Sequence, residues 1–566
     1  MSIHFRKLNI APGYTSYRLL ANIFLLFFIA FSLSSQTKDE KYFKINKNLS
    51  VFNSILRELD AYYVDTLHYD KVVLTGINSM LSSLDPYTVY MPEEMNDDLK
   101  MMTTGEYAGI GALIMQKDGR MVISEPYEGM PAQKNGLRAG DVILEVDGVS
   151  ATGKTTAQVS EMLKGKNGTE ITIKIERWNE KKPIVKKFIR ENIQFNPVTY
   201  YAVLGNGVGY LMLNDFTDKA ALEFKNAVND MMKTGQIKSL IVDVRNNPGG
   251  LVDEAVKIMG YFVPKGTSIV STKGRNFETD RTYKTPSDPV FPEMKLAVMV
   301  NRGSASASEI LAGALQDLDR GIVIGERTFG KGLVQSIRPV GYGGNIKVTM
   351  AKYYTPSGRC VQALDYSHRN EDGSVGRIPD SLTTAFKTAN GRIVRDGGGV
   401  LPDSVTTDSR KLNIAYYILM QNHYFDYATR YAQKHKSIAS PDKFSLTDAE
   451  FNDFVNYLVN EKKFTYTTQT ENYFKQLAEV AEFEGFDQTA KAEFDALKAR
   501  LMPDVEKNIR DNRKEIEEML TVEIIQRYYF QKGQVQYMLK DDTDLKVATD
   551  FLKNNSRYNQ VLKKQG

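Results

Sequence analysis

Cysteine and histidine are scarce in this sequence of 566 residues. Its single cysteine, Cys360, excludes an intramolecular disulfide and also a lipid-modified cysteine beside an N-terminal export signal. Residues 69–367 contain no histidine, since the five are His4, His68, His368, His423 and His435. A serine nucleophile in that stretch would need a histidine from elsewhere or a different base. The sequence also lacks HExxH and the cysteine spacings of zinc sites, so we expect no metal and no other cofactor.

An apolar run long enough to cross a membrane is missing too. The run from Leu19 to Leu33 has 15 residues, and a spanning helix needs about 20. Basic residues precede it and Ser34-Ser35-Gln36 follows, so we interpret residues 1–36 as a signal peptide cleaved near Ser34 or Ser35. We therefore expect an exported protein of the periplasm or cell envelope. The alternative is an uncleaved anchor, which would attach the protein to the inner membrane.

The chain has no strong excess of either charge. Its formal net charge is +4, and removal of residues 1–36 with Arg6, Lys7 and Arg18 leaves +1. The protein without residues 1–36 is nearly neutral, which gives no support for nucleic-acid binding, so we expect no nucleic-acid partner.

Residues 99–180 alternate short apolar runs with glycine turns. They contain Gly109-Ile110-Gly111-Ala112 and a string from Gly136 to Gly148, then a helical stretch at Ala157–Leu163 and a strand at Glu170–Glu176. This order resembles a PDZ domain, in which a peptide C-terminus adds as a strand to a sheet edge. The resemblance implies that the peptide carboxylate binds backbone N–H groups of Gly109, Ile110, Gly111 and Ala112. The alternative is that Gly109 and Gly111 only build a turn.

Strands and helices alternate from residue 195 to residue 405, which predicts an α/β core. We expect strands at Val208–Leu213, Leu240–Val244, Ala297–Val300 and Ile322–Ile324, with helices at Ala220–Met232 and Glu254–Phe262. The turn Asn246-Asn247-Pro248-Gly249-Gly250 follows one of these strands. Its double glycine exposes backbone N–H groups at a strand end, where ligands of open α/β sheets bind. Taken alone, the string favours a plain turn closed by Pro-Gly-Gly, but beside the serine turn described next the ligand-site interpretation is favoured.

A serine-rich turn, Gly303-Ser304-Ala305-Ser306-Ala307-Ser308-Glu309, lies between an apolar run and a helical pattern at Ile310–Leu318. A strand, tight turn and helix would expose one hydroxyl, which needs a base to become a nucleophile. Because histidine is absent nearby, Lys331 on a glycine-rich turn is the leading candidate for that base, and any of the three serines is a candidate nucleophile.

Together these strings resemble the carboxyl-terminal processing proteases, also called tail-specific proteases. The resemblance runs from about Phe43 to Val405, and it includes Leu84-Asp85-Pro86-Tyr87 and Tyr353-Tyr354-Thr355-Pro356-Ser357-Gly358-Arg359. It implies a PDZ-containing serine endopeptidase with a Ser-Lys dyad on a crotonase-like α/β core. Its partners would be protein or peptide substrates with free C-termini.

The resemblance also assigns roles to residues. The middle serine of the turn, Ser306, would be the nucleophile, Lys331 the base, and Gln335 the residue that orients Lys331. The four-residue step from Lys331 to Gln335 suits one helix face, although the flanking glycines weaken a helix there. Backbone N–H groups of Ala307 and of Gly249 or Gly250 would form the oxyanion hole. Ser304 and Ser308 would be structural, with Ser308 a candidate helix cap. Burial by Phe329, Leu333 and Val334 would lower the pKa of Lys331.

The remaining chain is mostly helical. A pattern from Phe43 to Leu84 ends before Asp85-Pro86. After Val405 we expect three helices, each with an apolar face turned to a core. One begins with a capping box, Thr447 to Glu450; a second carries Tyr473, Leu477, Val480 and Ala481; a third runs from Val505 through Ile524 and ends before Gly533.

The predicted organisation is multidomain α/β: signal peptide 1–36, N-terminal helical region 40–98, PDZ domain 99–183, protease core 190–405 and C-terminal all-α extension 406–566. The candidate roles of the C-terminal extension are homo-oligomerisation, lid formation and partner docking. The main alternative function is a non-catalytic PDZ peptide-binding or scaffold protein of the envelope. A further alternative function is that of a small-molecule or lipid carrier, which leaves the PDZ domain without a role.

Overall fold

The computed structural model describes residues 39–205, 207–370, 372–406, 413–486, 488–501 and 504–563. The predicted signal peptide lies outside these residues. The chain forms two compact units, one ending at Ser83 and the other beginning at Leu84. Within the first unit, helix α1 covers residues 39–62 and helix α2 covers Tyr69–Ser82. The single helical pattern seen in the sequence is thus interrupted at residues 63–68.

The second unit opens with a short strand, a 3₁₀ turn (Glu93–Met95) and a helix that lead into a β-rich region. Its elements are β1 (Val89–Met91), α3 (Asn96–Thr104), β2 (Glu106–Gly109), β3 (Ala112–Lys117), β4 (Arg120–Pro126), α4 (Pro131–Lys134), β5 (Val142–Val146), β6 (Val149–Ser150), α5 (Thr156–Leu163), β7 (Glu170–Glu176), β8 (Ile184–Ile189) and β9 (Glu191–Gln194).

This region is an antiparallel sheet of order β3-β4-β5-β7-β8, with β6 on β5, and β2 pairs separately with β9. The alternation in β7 turns Ile171, Ile173 and Ile175 into the core, where each is fully buried. Thr155 caps α5 in a capping box with Gln158. The predicted helix at Ala157–Leu163 and strand at Glu170–Glu176 are therefore confirmed.

The α/β core contains the next strands and three helices. They are β10 (Val198–Leu204), β11 (Val208–Leu213), α6 (Ala220–Gly235), β12 (Ser239–Asp243), α7 (Val252–Gly260), β13 (Ser268–Gly274), β14 (Arg281–Lys284), β15 (Lys295–Val300), α8 (Ala307–Asp317), β16 (Gly321–Gly325), β17 (Leu333–Gly341), β18 (Gly344–Tyr354), β19 (Leu364–Arg369), β20 (Val375–Arg377), β21 (Ala385–Lys387), β22 (Ile393–Arg395) and β23 (Ser404–Val405). All four strands and both helices expected in this core are confirmed within two or three residues.

The main sheet has the order β10-β11-β12-β15-β16-β23, and every pairing is parallel except β10 with β11. A second sheet, β1-β18-β13-β14 with β17 on β18, lies beside it in the chain's second unit. Parallel strands end at one sheet edge, so the turns after β12 and β15 emerge together. Those turns are the double-glycine turn and the serine turn.

The C-terminal part is helical. Its elements are α9 (Ile414–Met420), α10 (His423–Lys434), α11 (Asp448–Asn456), a π-helical turn (Tyr457–Glu461), α12 (Gln469–Glu484), α13 (Lys491–Leu501), α14 (Val505–Asp511), α15 (Arg513–Met538), α16 (Thr543–Lys553) and α17 (Asn555–Leu562). None of the described helices is long and apolar enough to cross a membrane.

Two expectations about these helices are wrong. Tyr473, Leu477 and Val480 on α12 are exposed, so this stripe is not a core face. The third predicted helix is two helices, α14 and α15, and α15 is interrupted at Phe530, whose φ of 53° and ψ of −159° are not helical, before helical chain continues to Met538. The predicted end before Gly533 agrees with this break. The capping box at Thr447 is confirmed by hydrogen bonds in both directions with Glu450.

The main sheet is covered on both faces, and the last two helices supply one of the covers. Helices α6, α7 and α8 pack on one face, together with apolar side chains of β11, β12 and β15. Phe551, Leu552 and Tyr558 of α16 and α17 pack on the other. The Tyr558 hydroxyl donates to the Leu296 carbonyl on the central strand β15. Helices α16 and α17 therefore complete the hydrophobic core of the α/β region.

Candidate active site

The serine turn places Ser306 where β15 meets α8. Ser306 has φ 55° and ψ −113°, a left-handed conformation that costs energy in a residue with a Cβ. Its side chain is only half-buried, whereas Ser304 and Ser308 are completely buried. Of the three candidate nucleophiles, Ser306 is thus the one that the backbone presents at the surface of the turn.

The two flanking serines hold the turn in place. The Ser304 hydroxyl donates to the Val244 carbonyl at 2.7 Å, and the Ser308 hydroxyl donates to the Asn247 carbonyl at 3.0 Å. Ser308 lies inside α8, whose N-cap residue is Ser306, so its proposed capping role is wrong. Both serines instead tie the serine turn to the chain that follows β12.

The double-glycine turn lies directly against Ser306. A Cβ on Gly249 would come within 2.7 Å of the Ser306 Cβ, and the φ of 106° disfavours any larger residue. The Gly249 N–H already donates to the Asn247 side chain at 2.8 Å. Ala307 begins α8, and the first N–H groups of a helix lack intrahelical acceptors. Of the predicted oxyanion residues, Gly249 and Ala307 therefore lie beside Ser306, whereas Gly250 packs against Phe216.

The buried carboxylate of Glu309 joins the serine turn to the lysine loop, which is the segment Thr328–Gln335 around Lys331. Glu309 accepts from the backbone N–H groups of Ser306 at 3.0 Å, Lys331 at 2.8 Å and Gly330 at 2.8 Å. It also accepts from the Thr328 hydroxyl at 2.6 Å. Burial raises the pKa of Glu309, and these four donors oppose the rise. One side chain thus sets the distance between the backbones of Ser306 and Lys331.

The Lys331 amine sits over an aromatic ring. Its Nζ lies 4.4 Å from the ring centroid of Tyr87, and the described residues include no hydrogen-bond partner for it. Burial lowers the pKa of Lys331 to about 8, the Lys347 ammonium adds to the lowering, and the Glu309 and Asp85 carboxylates oppose it. An appreciable share of this amine is therefore neutral near neutral pH.

The burial of Lys331 differs in detail from the expectation. Leu333 is buried and Val334 is half-buried, but Phe329 is 41% exposed. The aromatic wall is supplied by Tyr87, a residue distant in sequence. Lys331 is thus desolvated by a side chain that sequence proximity does not reveal.

Gln335 lies on strand β17, and the helix considered for this step does not form. Its side-chain amide donates to the Thr349 hydroxyl at 3.2 Å on the neighbouring strand. Within the described part of the chain, no hydrogen bond joins Gln335 to Lys331, and none joins the Lys331 amine to the Ser306 hydroxyl. The assignment of Gln335 as the residue that orients Lys331 stays a prediction.

The Gly109–Ala112 loop opens the edge strand β3. Two of its carbonyl groups accept hydrogen bonds from the chain that follows: the Ala132 N–H donates to the Ile110 carbonyl, and the Tyr127 N–H donates to the Gly111 carbonyl. Gly111 has φ 70°, and a Cβ there would come within 2.5 Å of Met130. The loop borders a groove of about 200 Å³ between β3 and α5. This is the position in which a peptide strand would be added.

Sequence reasoning missed Tyr87, Glu309, Asn247 and Tyr353. The Tyr353 hydroxyl donates to the Ser306 carbonyl at 3.1 Å and steadies the turn. Glu309 had a signal, because a serine followed three residues later by a glutamate is a capping-box pattern. Tyr87 belongs to the Leu84-Asp85-Pro86-Tyr87 string of the resemblance, but nothing in the sequence links it to a loop more than 200 residues away.

Three family models and one solved structure are similar to parts of this chain. Residues 207–366 match the family described as Peptidase family S41, residues 122–177 match the PDZ domain, and residues 414–552 match a family described as "Probable PDZ-protease, C-terminal helical domain". The solved structure of a photosystem II D1 C-terminal processing protease is 30% identical, covers 55% of this chain and 89% of its own, and has a TM-score of 0.33.

Two curated relatives carry the family assignment. A carboxy-terminal-processing protease of Bartonella bacilliformis is 36% identical over 351 residues, which cover 61% of this chain and 79% of the relative. A probable CtpA-like serine protease of Staphylococcus aureus strain N315 is 33% identical over 364 residues, covering 63% of this chain and 71% of the relative. The chain therefore belongs to the carboxy-terminal-processing protease family of S41 peptidases.

Proposed function

We propose that this protein is an exported serine endopeptidase that uses Ser306 as nucleophile and Lys331 as base, and that selects substrates by their C-termini through its PDZ domain. The observation that carries the dyad is the Glu309 carboxylate, which binds the backbone N–H groups of both residues. Such a shared acceptor holds nucleophile and base in one arrangement before substrate arrives.

The reaction is acyl transfer. Neutral Lys331 removes the proton from the Ser306 hydroxyl, and the oxygen attacks the substrate's peptide carbonyl. The Lys331 ammonium then gives that proton to the departing amine, which leaves an acyl-enzyme. Water attacks the ester with Lys331 again accepting a proton, and Ser306 is restored as the carboxylic acid product leaves.

The oxyanion of each tetrahedral intermediate would bind the Ala307 N–H at the start of α8, where the helix dipole favours negative charge. Gly250 is the better second donor, because the Gly249 N–H is already occupied by Asn247. Gln335 donates to Thr349 from its Nε2, so its Oε1 is the atom that would accept from the lysine ammonium.

Export, domain boundaries and the crotonase-like core belong to the same proposal. Residues 1–36 direct export, and the segments 40–98, 99–183, 190–405 and 406–566 are the proposed domains. The proposal of a crotonase-like core is supported by the parallel sheet with helices α6, α7 and α8 on one face.

The dyad is tested by incubating the protein with an unfolded substrate that has an apolar C-terminus. Ser306→Ala and Lys331→Ala should each abolish cleavage, since one lacks the nucleophile and the other lacks the base. Exposed residues give matched controls, Ser287→Ala and Lys352→Ala, which should cleave like the parent protein. Cleavage by Ser306→Ala at the parent rate would refute the dyad.

Recognition of C-termini is tested separately with the same substrate carrying a C-terminal amide. Removal of the carboxylate's charge should weaken binding, since a charge-assisted hydrogen bond to the loop is lost. Equal KM values for the acid and the amide would refute carboxylate binding at Gly109–Ala112. Binding without any cleavage would favour the scaffold alternative.

A further inference from the structure

The string Leu84-Asp85-Pro86-Tyr87 enters strand β1 through a turn that the Asp85 carboxylate closes. Asp85 is buried, and its Oδ1 accepts from the backbone N–H groups of Tyr87 and Thr88, each at 2.8 Å. Its Oδ2 accepts from the Thr88 hydroxyl at 3.0 Å. A carboxylate that binds backbone N–H groups two and three residues further on fixes the local chain as an Asx turn. Asp85 therefore sets the position of the Tyr87 backbone.

This turn is anchored to strand β18. The Thr88 hydroxyl oxygen accepts from the Thr349 backbone N–H at 3.2 Å, and strand β1 pairs antiparallel with β18. Strand β18 is also the partner of β17, which begins at Leu333, just after Lys331. The Asp85 turn and the lysine loop are thus attached to the same sheet.

The Tyr87 ring is fixed by packing as well as by the turn. The side chain is half-buried, and the Lys331 Nζ lies 4.4 Å from its ring centroid. The Tyr366 ring makes an edge contact with it, with centroids 6.1 Å apart and ring planes at 87°. The ring therefore has one defined place beneath the lysine amine.

A ring in this place has two opposing effects on the amine. Its face attracts an ammonium, which favours the charged form, whereas its bulk keeps water away, which favours the neutral form. The pKa of Lys331 is lowered to about 8, with burial as the largest cause. Exclusion of water is therefore the effect that we assign to the Tyr87 ring.

Charges around the amine act in both directions. The Lys347 ammonium lowers the pKa of Lys331, and the Glu309 and Asp85 carboxylates raise it. Burial raises the pKa of the Tyr87 phenol, so this group stays neutral near neutral pH. Loss of the Asp85 charge alone would thus lower the pKa of Lys331, whereas release of the ring would raise it.

We propose that Asp85 and Tyr87 are positioning residues of the base: Asp85 folds the turn that holds the Tyr87 ring beneath the Lys331 amine, and the ring keeps water from that amine. This inference rests on the proposed role of Lys331 as the base. The contacts behind it are the hydrogen bonds that Asp85 accepts and the position of the Lys331 amine over the ring.

The test compares kcat/KM for a fluorogenic peptide at pH 9 and at pH 7. With a pKa of about 8 the ratio of the two values should be about 10 for the parent protein. Tyr87→Ala admits water to the amine, and a rise of about one unit in the pKa would increase the ratio to about 50. A uniform loss of activity leaves this ratio unchanged, so a merely structural role would not move it.

Two variants of Asp85 separate the turn from the charge. Asp85→Ala removes both the acceptor and the charge, and its ratio should rise as that of Tyr87→Ala does, because the ring is released. Asp85→Asn keeps an oxygen that accepts from the backbone N–H groups and loses only the charge. Its ratio should equal that of the parent or fall below it. A fall for Asp85→Ala would show that only the charge acts, which overturns the positioning role of Asp85.

Tyr87→Phe and Tyr90→Ala are the controls. Tyr87→Phe keeps the ring, so its ratio should stay that of the parent. Tyr90 lies on β1, and its ring packs at Gly344, the first residue of β18. Tyr90→Ala therefore removes an aromatic ring from the same segment without uncovering the amine, and its ratio should also be that of the parent.

Folding and loss of activity are followed separately. Circular dichroism melting shows whether each variant folds, and if Asp85→Ala does not fold, the Tyr87 variants decide the inference. For a variant that folds but does not cleave, acetic anhydride labelling of Lys331 at a series of pH values, read by mass spectrometry, gives the titration midpoint directly. The expected order of midpoints is the same as that of the ratios.

The outcomes distinguish this inference from the proposed function. A parent ratio near 1 would refute Lys331 as the base, and the inference would fail with it. A parent ratio of about 10 together with an unchanged or smaller ratio for Tyr87→Ala would overturn the role of the ring and leave the Ser306–Lys331 dyad intact.

Discussion

The titration of Lys331 should set the pH dependence of cleavage. Lys331 can serve as the proposed base only when its amine is neutral, and its pKa is lowered to about 8 by burial and by Lys347. At pH 7 about one molecule in ten then carries a neutral amine, against about one in 2,500 for an ordinary lysine of pKa about 10.4. The lysine's surroundings therefore raise the active fraction about 200-fold at neutral pH.

The assay is kcat/KM for a fluorogenic peptide between pH 6 and pH 9.5. Because the base must be deprotonated, activity should rise with pH, about 50-fold from pH 6 to pH 8, and level off above the pKa. The variant Lys347→Gln removes a neighbouring positive charge that lowers the pKa, so its midpoint should move to higher pH.

Lys352→Gln on the same strand is the control for that change, because Lys352 does not perturb Lys331. Its midpoint should equal that of the parent. A profile that is flat across this range, or one with a midpoint near the ordinary value for lysine, would refute Lys331 as the base. A midpoint of Lys347→Gln below that of the parent would refute the electrostatic account.

Two further predictions concern the support of the site. Gly249→Ala would bring a Cβ within 2.7 Å of the Ser306 Cβ and should lower kcat by about 100-fold or more, because it disturbs the oxyanion hole. Peptide binding by the PDZ domain should stay unchanged, and an unaltered kcat would refute the placement of this turn. Arg245→Ala would leave the buried Asp243 without the guanidinium that also binds Asp542 and Asp544, and should lower the free energy of unfolding by about 3–5 kcal/mol in a denaturant titration. The control Arg302→Ala, which removes an exposed ion pair, should lower it by less than about 1 kcal/mol.

Local patterns predicted most of the elements that carry the site. The strand at Val208–Leu213 and the strand at Glu170–Glu176 agree with the structure to the residue. The first is a short apolar run and the second alternates apolar with polar residues, and turn residues bound both. The stripe of Tyr473, Leu477 and Val480 has an equally clear helical period, yet these side chains are exposed. Periodicity establishes a helix with an apolar face, but it does not say whether another part of the chain covers that face.

The sequence by itself determined the serine turn, the lysine loop, the double-glycine turn and the PDZ glycine loop, since each is a short string whose residue types fix a local backbone shape. The proposal of Lys331 rather than a histidine as the base came from the absence of histidine between residues 69 and 367 together with the family resemblance. The tertiary structure decided what surrounds them: Glu309 binds both backbones, and Tyr87 lies beneath the lysine amine. It also decided that α16 and α17 cover the main sheet. These contacts join residues far apart in the chain, and their energies depend on burial and distance, which only the folded arrangement sets.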